Sequence, residues 1–282
     1  MNNPANEVYP CALTIAGSDS GGGAGIQADL RTFNAYGVFG TSVITALTAQ
    51  NPLEVTGIEG VTPAFVGKQI ETVLRCLPVT VVKTGMLFSA EIIAEVANAL
   101  TGGARILVVD PVMVSTSGAR LLEESAVKAL KEHILPLADW ITPNLPEAEL
   151  LLGRKLADRG AMIDGALELA SIYGADILLK GGHAVGDKAV DFVVMDGELY
   201  ELATPRVKID GEAVAHGTGC TLSAALAAGF AIELAVDEAL TAAKGFIYGS
   251  LVEAVDFGGG LKGMYPPSQS YEGKTSFKAV KR

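Results

Sequence analysis

The sequence contains few cysteines and no long hydrophobic run. Its three cysteines, Cys11, Cys76 and Cys220, are too few and too widely spaced for a disulfide framework or a zinc site. No uninterrupted apolar stretch reaches the roughly 20 residues that cross a bilayer, and residues 1–10 lack the charged and apolar regions of a signal peptide. We therefore expect a soluble, cytoplasmic protein with no membrane partner.

Positive charge is also scarce. The chain carries 32 acidic and 21 basic residues, a formal net charge of −11, and no run of lysine or arginine precedes its last few residues. Proteins that bind nucleic acid usually present a basic face, so we expect no nucleic-acid partner. A local cluster of backbone N–H groups can bind an anion even on an acidic protein, and an anionic small-molecule substrate stays open.

Aromatic residues make up only 6% of the 282 residues, whereas 49% are hydrophobic and 33 are glycine. Short apolar runs alternate with amphipathic segments, a pattern that predicts an α/β fold with a mostly parallel central sheet and helices on both faces. The predicted strands are residues 12–16, 41–48, 79–83, 105–110, 140–142 and 177–180, and the predicted helices are residues 26–36, 63–76, 90–100, 125–135 and 159–173. Ligands of such sheets bind at the carboxyl ends of the strands.

The pattern changes after Gly182. Residues 191–195 and 199–203, joined by Asp196 and Gly197, predict a β-hairpin, and two further helices are predicted at residues 218–234 and 236–254. No linker or composition shift marks a second domain, so residues 1–260 are expected to form one domain. Residues 261–282, rich in Gly, Ser, Pro and Lys, are expected to be a mobile tail.

A glycine-rich turn at residues 215–220 leads directly into an Ala-rich helix. The unpaired N–H groups and the positive end of the dipole at such a helix start attract anions, and Gly217, Thr218 and Gly219 would bring the backbone close to a phosphate. The alternative is an ordinary turn with a helix cap. The loop lacks the lysine of a P-loop and the acidic residue of a dinucleotide fingerprint.

Cys220 lies in the first turn of that helix. A thiolate is stabilised there, so we expect a lowered pKa and a role as the base that takes a proton from an acceptor hydroxyl. The alternative is a small buried apolar side chain.

A second glycine-rich loop, residues 17–25, leads into the first predicted helix. Asp29, in the first turns of that helix, is expected either to complement the helix dipole or to bind a substrate amine. Asp19 is a candidate cap of the same helix.

Residues after other predicted strands suit a flat, polar ring. Gln50 presents a donor and an acceptor side by side, which can bind the edge of an aminopyrimidine, and an exposed loop amide is the alternative. Met86 and Val112 are candidate apolar walls over such a ring, although residues of this kind are more often core.

Charged and amide side chains follow three other predicted strands. Asp110, Asn144 and Glu147 could hold Mg²⁺ or nucleotide phosphates directly or through waters, while Asn144 could equally cap a short helix. Lys180, at the end of an apolar run, needs an anionic partner such as a nucleotide phosphate, unless its ammonium group reaches water.

Eight motifs in one order carry a resemblance to a known family. They are AGSD at 16–19, GGAGIQAD at 22–29, TALTAQN at 45–51, KTGM at 83–86, DPVM at 110–113, TPNLPEA at 142–148, KGGH at 180–183 and HGTGCT at 216–221. From residue 12 to about residue 260 the chain resembles the ribokinase-type superfamily. Within it, the chain is similar to the hydroxymethylpyrimidine/phosphomethylpyrimidine kinases of thiamine biosynthesis.

The resemblance implies ATP, Mg²⁺, a homodimer, and two successive phosphorylations of 4-amino-5-hydroxymethyl-2-methylpyrimidine. It also implies the roles of individual residues. Gln50 and Asp29 would hold the pyrimidine, Cys220 would stand where sugar kinases have an aspartate base, and Lys180, Asn144 and Glu147 would act on nucleotide and metal. The residues around the pyrimidine would be Gly17, Ala24, Thr48 and Met86, although relatives often have valine in place of Thr48.

Three alternatives stay open. A pyridoxal kinase, or an enzyme with both activities, would share the fold, although Gln50 favours the pyrimidine. A sugar kinase is disfavoured by Cys220. A pyrimidine-binding protein without catalysis is disfavoured by the presence of Lys180, Glu147 and Cys220 together.

Overall fold

The computed structural model describes residues 8–103, 105–113, 122–182, 186–208 and 215–280. In these residues twelve strands are found, at β1 (Cys11–Asp19), β2 (Phe39–Gln50), β3 (Val55–Gly60), β4 (Val81–Thr84), β5 (Ile106–Val109), β6 (Trp140–Ile141), β7 (Asp176–Leu179), β8 (Lys188–Met195), β9 (Glu198–Pro205), β10 (Val255–Gly258), β11 (Leu261–Gly263) and β12 (Ser276–Ala279). The α-helices are α1 (Gly25–Ala35), α2 (Pro63–Cys76), α3 (Ala90–Leu100), α4 (Glu124–Ala129), α5 (Leu145–Leu152), α6 (Arg159–Tyr173), α7 (Thr218–Ala231) and α8 (Val236–Val252).

Ten of these strands form one central sheet, in the order β12-β9-β8-β7-β6-β5-β4-β1-β2-β3. The six strands from β7 to β2 pair in parallel, and the strands outside them pair antiparallel. The predicted α/β class with a mostly parallel sheet is therefore confirmed. The chain first runs from β1 to β2 on one side and then returns to β4 on the other, so the strand order reverses beside β1. Open α/β sheets bind their ligands at such a reversal.

Both faces of the sheet are covered, which explains why its central strands are almost wholly apolar. Leu13 and Ile15 of β1 pack with the helices α2 to α6 in one buried cluster. Ala12 lies on the opposite face and packs with α1, α7 and α8 in a second cluster. The small residues of α7 let it lie close to the sheet, and most of that helix is buried. No helix in the described part of the chain is long and apolar enough to cross a membrane.

Several helix boundaries agree with the prediction because their end signals are local. α2 begins at Pro63, Ser89 accepts a hydrogen bond from the Ile92 N–H at the start of α3, and Asp158 caps α6 through the Ala161 N–H. The predicted helix at 125–135 is only partly α-helical. Because Pro136 has no N–H to continue the ladder, the segment ends through a π-helical turn, Leu130–Ile134, and a 3₁₀ turn, Leu135–Leu137.

The predicted hairpin is confirmed as β8 and β9, with Asp196 and Gly197 both at positive φ (51° and 78°) in the turn. The expectation of a mobile tail is wrong for residues 261–280. β12 pairs with β9 at the sheet edge, and Phe277 stacks on Tyr200 with ring centroids 4.8 Å apart. The Tyr271 ring packs on Gly249 of α8 so closely that a Cβ there would lie 2.4 Å from Tyr271 Cδ2. Residues 281 and 282 lie outside the described residues.

Candidate active site

The two glycine-rich loops meet, main chain to main chain, where the strand order reverses. Gly217 precedes α7 at a φ of +81°, and a Cβ added to it would lie 1.9 Å from the Gly23 carbonyl oxygen. Gly25, the first residue of α1, has a φ of +56°, and its Cβ would lie 2.4 Å from the Gly17 carbonyl oxygen. Glycine alone fits both positions. The contact brings the starts of α1 and α7 together.

Cys220 lies in the first turn of α7 and is half-buried. Burial raises the pKa of its thiol to about 11, and the carboxylates of Asp110 and Asp29 act in the same direction. Lys83 and a hydrogen bond from the Gly25 N–H lower the pKa by less. The expectation of a lowered pKa is therefore wrong. The helix start does favour the thiolate, but removal of water costs the charged form more.

An ion pair without solvent contact lies beneath Cys220. Lys83 Nζ of β4 is 2.9 and 2.8 Å from the two carboxylate oxygens of Asp29, and Thr14 Oγ1 donates to the same carboxylate at 2.6 Å. Burial lowers the pKa of Lys83, but Asp29, Cys220 and Asp110 together outweigh burial and raise it. In this structure Asp29 neutralises a lysine, and its predicted role toward a substrate stays a prediction. Sequence reasoning missed Lys83, although a lysine inside an apolar strand was the available signal.

A second charged cluster lies at the ends of β5 and β7. Lys180 Nζ is 2.8 Å from Asp110 Oδ1, so the anionic partner that Lys180 needs is a carboxylate of the chain itself. Ser223 Oγ of α7 donates to Asp110 Oδ2 at 3.3 Å. A Cβ on Gly219 would lie 3.1 Å from Lys180 Nζ, so the first turn of α7 rests on this cluster. Burial lowers the pKa of Lys180, but Asp110 and Glu147 outweigh burial and raise it.

Asn144 and Glu147 form a capping box at the start of α5. The Glu147 N–H donates to Asn144 Oδ1 at 2.9 Å, and the Asn144 N–H donates to Glu147 Oε2 at 2.8 Å. The capping alternative for Asn144 is therefore confirmed, and its nucleotide role stays a prediction. Glu147 is buried, and burial raises its pKa to about 7 against the opposing effect of Lys180. This side chain can change its protonation state near neutral pH.

Gln50 belongs to a polar network at the end of β2. His216 Nε2 lies 3.0 Å from Asp19 Oδ2 and 3.1 Å from Gln50 Nε2, so it joins the two glycine-rich loops. Asp19 also accepts the N–H groups of Gly21 and Ala24, each at 2.8 Å, and so fixes the loop before α1. Its predicted role as the cap of α1 is wrong, because Ala24 holds the N-cap position and no side chain caps this helix. The hydrogen bonds of Asp19 outweigh burial and lower its pKa. His216 was missed, although it opens the motif at 216–221.

The remaining predicted pocket residues lie around this network. Thr48 Oγ1 donates to the Ser18 carbonyl at 2.9 Å. Met86 is buried beside Gly17, where a Cβ would lie 2.5 Å from Met86 Cε. Val112 is half-buried after β5. Their contacts with a flat ring stay predictions, but their positions follow from the strand ends on which they lie.

Comparison with known proteins identifies the family. Residues 19–266 match the family model of phosphomethylpyrimidine kinase. The chain belongs to this family. It is 48% identical over 244 residues to the hydroxymethylpyrimidine/phosphomethylpyrimidine kinase of Rhizobium meliloti, covering 86% of this chain and 91% of that protein. It spans only 50% of the bifunctional thiamine biosynthesis protein ThiED of Geobacter sulfurreducens, to which it is 47% identical.

Solved structures agree. The phosphomethylpyrimidine kinase of Clostridium difficile superposes with a TM-score of 0.75 and 41% identity, over 86% of this chain and 98% of that one. The pyridoxal kinase of Staphylococcus aureus in complex with ADP superposes with a TM-score of 0.86 and 30% identity, over 97% of this chain and 100% of that one. The ribokinase-like fold expected from the motifs is confirmed, and the chain is a member of a kinase family.

Proposed function

We propose that the chain uses ATP to phosphorylate 4-amino-5-hydroxymethyl-2-methylpyrimidine and then its monophosphate, giving the diphosphate used in thiamine biosynthesis. One observation carries the proposal. The first turn of α7 lies between the Lys180–Asp110 pair on one side and the Gln50–His216 network on the other. A phosphate donor and a polar acceptor can therefore meet at one helix start. The names of the relatives agree with this chemistry.

The donor side consists of Gly217, Thr218, Gly219 and Lys180. Backbone N–H groups at the start of α7 would bind the terminal phosphate of ATP, and Lys180 would take part of its negative charge. To reach the nucleotide, Lys180 has only to share its ammonium group, because Asp110 occupies one side of it. Asn144 lies beside Lys180. Its side-chain oxygen accepts the capping hydrogen bond, so the amide NH₂ of the same side chain would contact the nucleotide.

We further propose that Mg²⁺ accompanies the nucleotide. In kinase sites the ion keeps several waters and binds one or two carboxylates plus substrate phosphates. Asp110 and Glu147 fit this requirement, since both are buried carboxylates that influence each other at the edge that Lys180 shares. When bound, the ion would neutralise charge on the phosphates.

The acceptor side would hold the aminopyrimidine against the loop after β1. The Gln50 amide offers a donor and an acceptor to the ring edge, and Met86 and Val112 offer apolar contact. Cys220 would accept the proton of the hydroxymethyl group in the first reaction. A base with a pKa of about 11 is rarely ionised at neutral pH but is strongly basic once ionised. The monophosphate acceptor is already an anion at neutral pH, so the second reaction does not need this base.

Pyridoxal phosphorylation is the second candidate activity. The superposition on a pyridoxal kinase extends over 97% of this chain, which favours a pocket of related shape. Gln50 favours the aminopyrimidine, because its paired donor and acceptor complement the amine and ring nitrogen of that substrate. We rank pyridoxal as a side substrate.

We also propose that the protein acts in the cytoplasm as a homodimer. The antiparallel strands β2 and β3 end the sheet on one side, and β3 is an edge strand among the described residues. Leu47 of β2 and Ile58 of β3 are 51% and 37% exposed, and they lie on opposite faces of this pair, because Leu47 is paired with Glu59 and Ile58 with Thr48. An apolar sheet edge of this kind is stabilised by a second copy.

The test is ADP release with hydroxymethylpyrimidine, its monophosphate and pyridoxal, measured side by side. We expect the two pyrimidines to be used more efficiently than pyridoxal, and Lys180→Met to abolish both pyrimidine reactions. Lys155→Met is the matched control, because Lys155 is an exposed lysine that also pairs with a carboxylate, that of Glu149. A preference for pyridoxal, or full activity of Lys180→Met, would refute the proposal.

A further inference from the structure

A buried ion pair lies between β8 and α8, outside the machinery described above. Lys244 Nζ of α8 contacts Asp191 Oδ2 of β8 at 2.5 Å, with side-chain exposures of 7% and 2%. Taking two charges out of water is costly, and apolar pairs of similar size often give equal or better stability. A contribution to the stability of the fold is therefore not enough to explain why this ion pair is present.

The second oxygen of Asp191 reaches toward the active site. The N–H of Gly181 donates to Asp191 Oδ1 at 2.9 Å. Gly181 directly follows Lys180, and its main chain lies against β8, where a Cβ would be 2.2 Å from the Val190 carbonyl oxygen. No side chain intervenes between this backbone and β8. The hydrogen bond to Asp191 is the polar contact that holds Gly181 from that side.

Lys180 directly follows Leu179, the last residue of β7. On the opposite side its N–H donates to the Pro143 carbonyl oxygen at 2.8 Å. The main chain at Lys180 and Gly181 is thus fixed between Pro143, in the loop after β6, and Asp191. The ammonium group of Lys180 reaches Asp110. A shift at Gly181 would move the start of the Lys180 side chain.

We propose that Asp191, held in place by Lys244, is a positioning residue that fixes the Lys180–Gly181 backbone so that Lys180 meets the nucleotide phosphates. This inference rests on the proposed role of Lys180. The requirement is for a hydrogen-bond acceptor at residue 191, and the lysine supplies the charge that keeps a buried carboxylate in that place.

Two uncharged double variants separate this role from a structural one. Asp191→Asn with Lys244→Met keeps a side-chain oxygen for the Gly181 N–H, whereas Asp191→Leu with Lys244→Met has a similar shape without it. We expect the Asn variant to keep the wild-type KM for ATP within about twofold, and the Leu variant to raise it about tenfold, the effect of losing one buried hydrogen bond. The KM for hydroxymethylpyrimidine should stay unchanged in both.

The same ranking is expected for ADP binding measured by calorimetry, which needs no acceptor substrate. Equal KM values for ATP in the two double variants, or parallel losses for both substrates, would overturn the inference. If the Leu variant does not fold, Lys244→Met alone replaces it, with an expected two- to fivefold rise in the KM for ATP, and an unchanged value would refute the role. Wild-type protein that binds no ADP would instead refute the proposed function itself.

Discussion

Replacing Cys220 by alanine tests the chemistry at the centre of the site. The thiol has a pKa of about 11, so about one molecule in a thousand carries a thiolate at pH 8. A positioned general base contributes about 10²- to 10⁴-fold, and the rarity of the thiolate sets the expected loss near the lower end, about 10²-fold in kcat for the hydroxymethyl substrate. The backbone N–H groups of α7 stay in place, so the second phosphorylation should lose less than about tenfold.

The assay measures both phosphorylations separately, with purified alcohol and purified monophosphate as acceptors, between pH 6.5 and 9. Because burial raises the pKa, the thiolate fraction grows about tenfold per pH unit over this range. Above about pH 8, where Glu147 is ionised, the first reaction of the wild type should therefore keep rising with pH, and that of Cys220→Ala should be flat. Cys76→Ala is the control, since Cys76 is exposed. Equal losses in both reactions, or identical pH profiles, would refute Cys220 as the base.

Three further predictions concern the supporting structure. Gly217→Ala should lower kcat at least about 100-fold, because its Cβ would meet the Gly23 carbonyl, while Gly102→Ala, also at positive φ but with open space, should keep activity. As the pH rises from 5 to 8, the unfolding free energy of Glu147→Gln should increase relative to that of the wild type by roughly 1–3 kcal/mol, measured by thermal or urea unfolding. The reason is that the raised pKa of the Glu147 carboxyl makes its ionisation easier in the unfolded than in the folded wild type. A difference that does not change with pH would contradict this. Tyr271→Ala should cost roughly 1–3 kcal/mol of unfolding free energy by the same measurement, and exposed Phe257→Ala less than about 0.5; equal costs would mean that the tail is not docked through Tyr271.

Local signals explain which parts of the fold could be predicted. Helix α2 begins at a proline and α6 begins after Asp158, and both start where the sequence predicts. Strands β3 and β12 were missed because each lies at an edge with one neighbour and carries little apolar pattern. Their pairing partners are supplied by the tertiary fold, which no local window of sequence contains.

The same distinction applies to the site. Gly217 and Cys220 could be assigned to one turn because they are neighbours in sequence. The pKa of Cys220 could not, because its main cause is burial in the folded chain, and because Lys83 of β4, Asp110 after β5 and Asp29 of α1 lie far from Cys220 in sequence. The helix start favours the thiolate, and burial by the packed elements reverses the result. The partner of Lys180 was likewise hidden, since Asp110 lies 70 residues away along the chain.

The contact of Gly23 with Gly217 has a mechanical consequence. Two segments almost 200 residues apart touch without side chains between them, so neither can shift toward the other and neither has slack to absorb a displacement. An acceptor that pushes on the loop after β1 would therefore also push on the turn that we propose as the binding place of the donor. In the proposed reaction, entry of one ligand would be transmitted to the binding place of the other through this backbone contact.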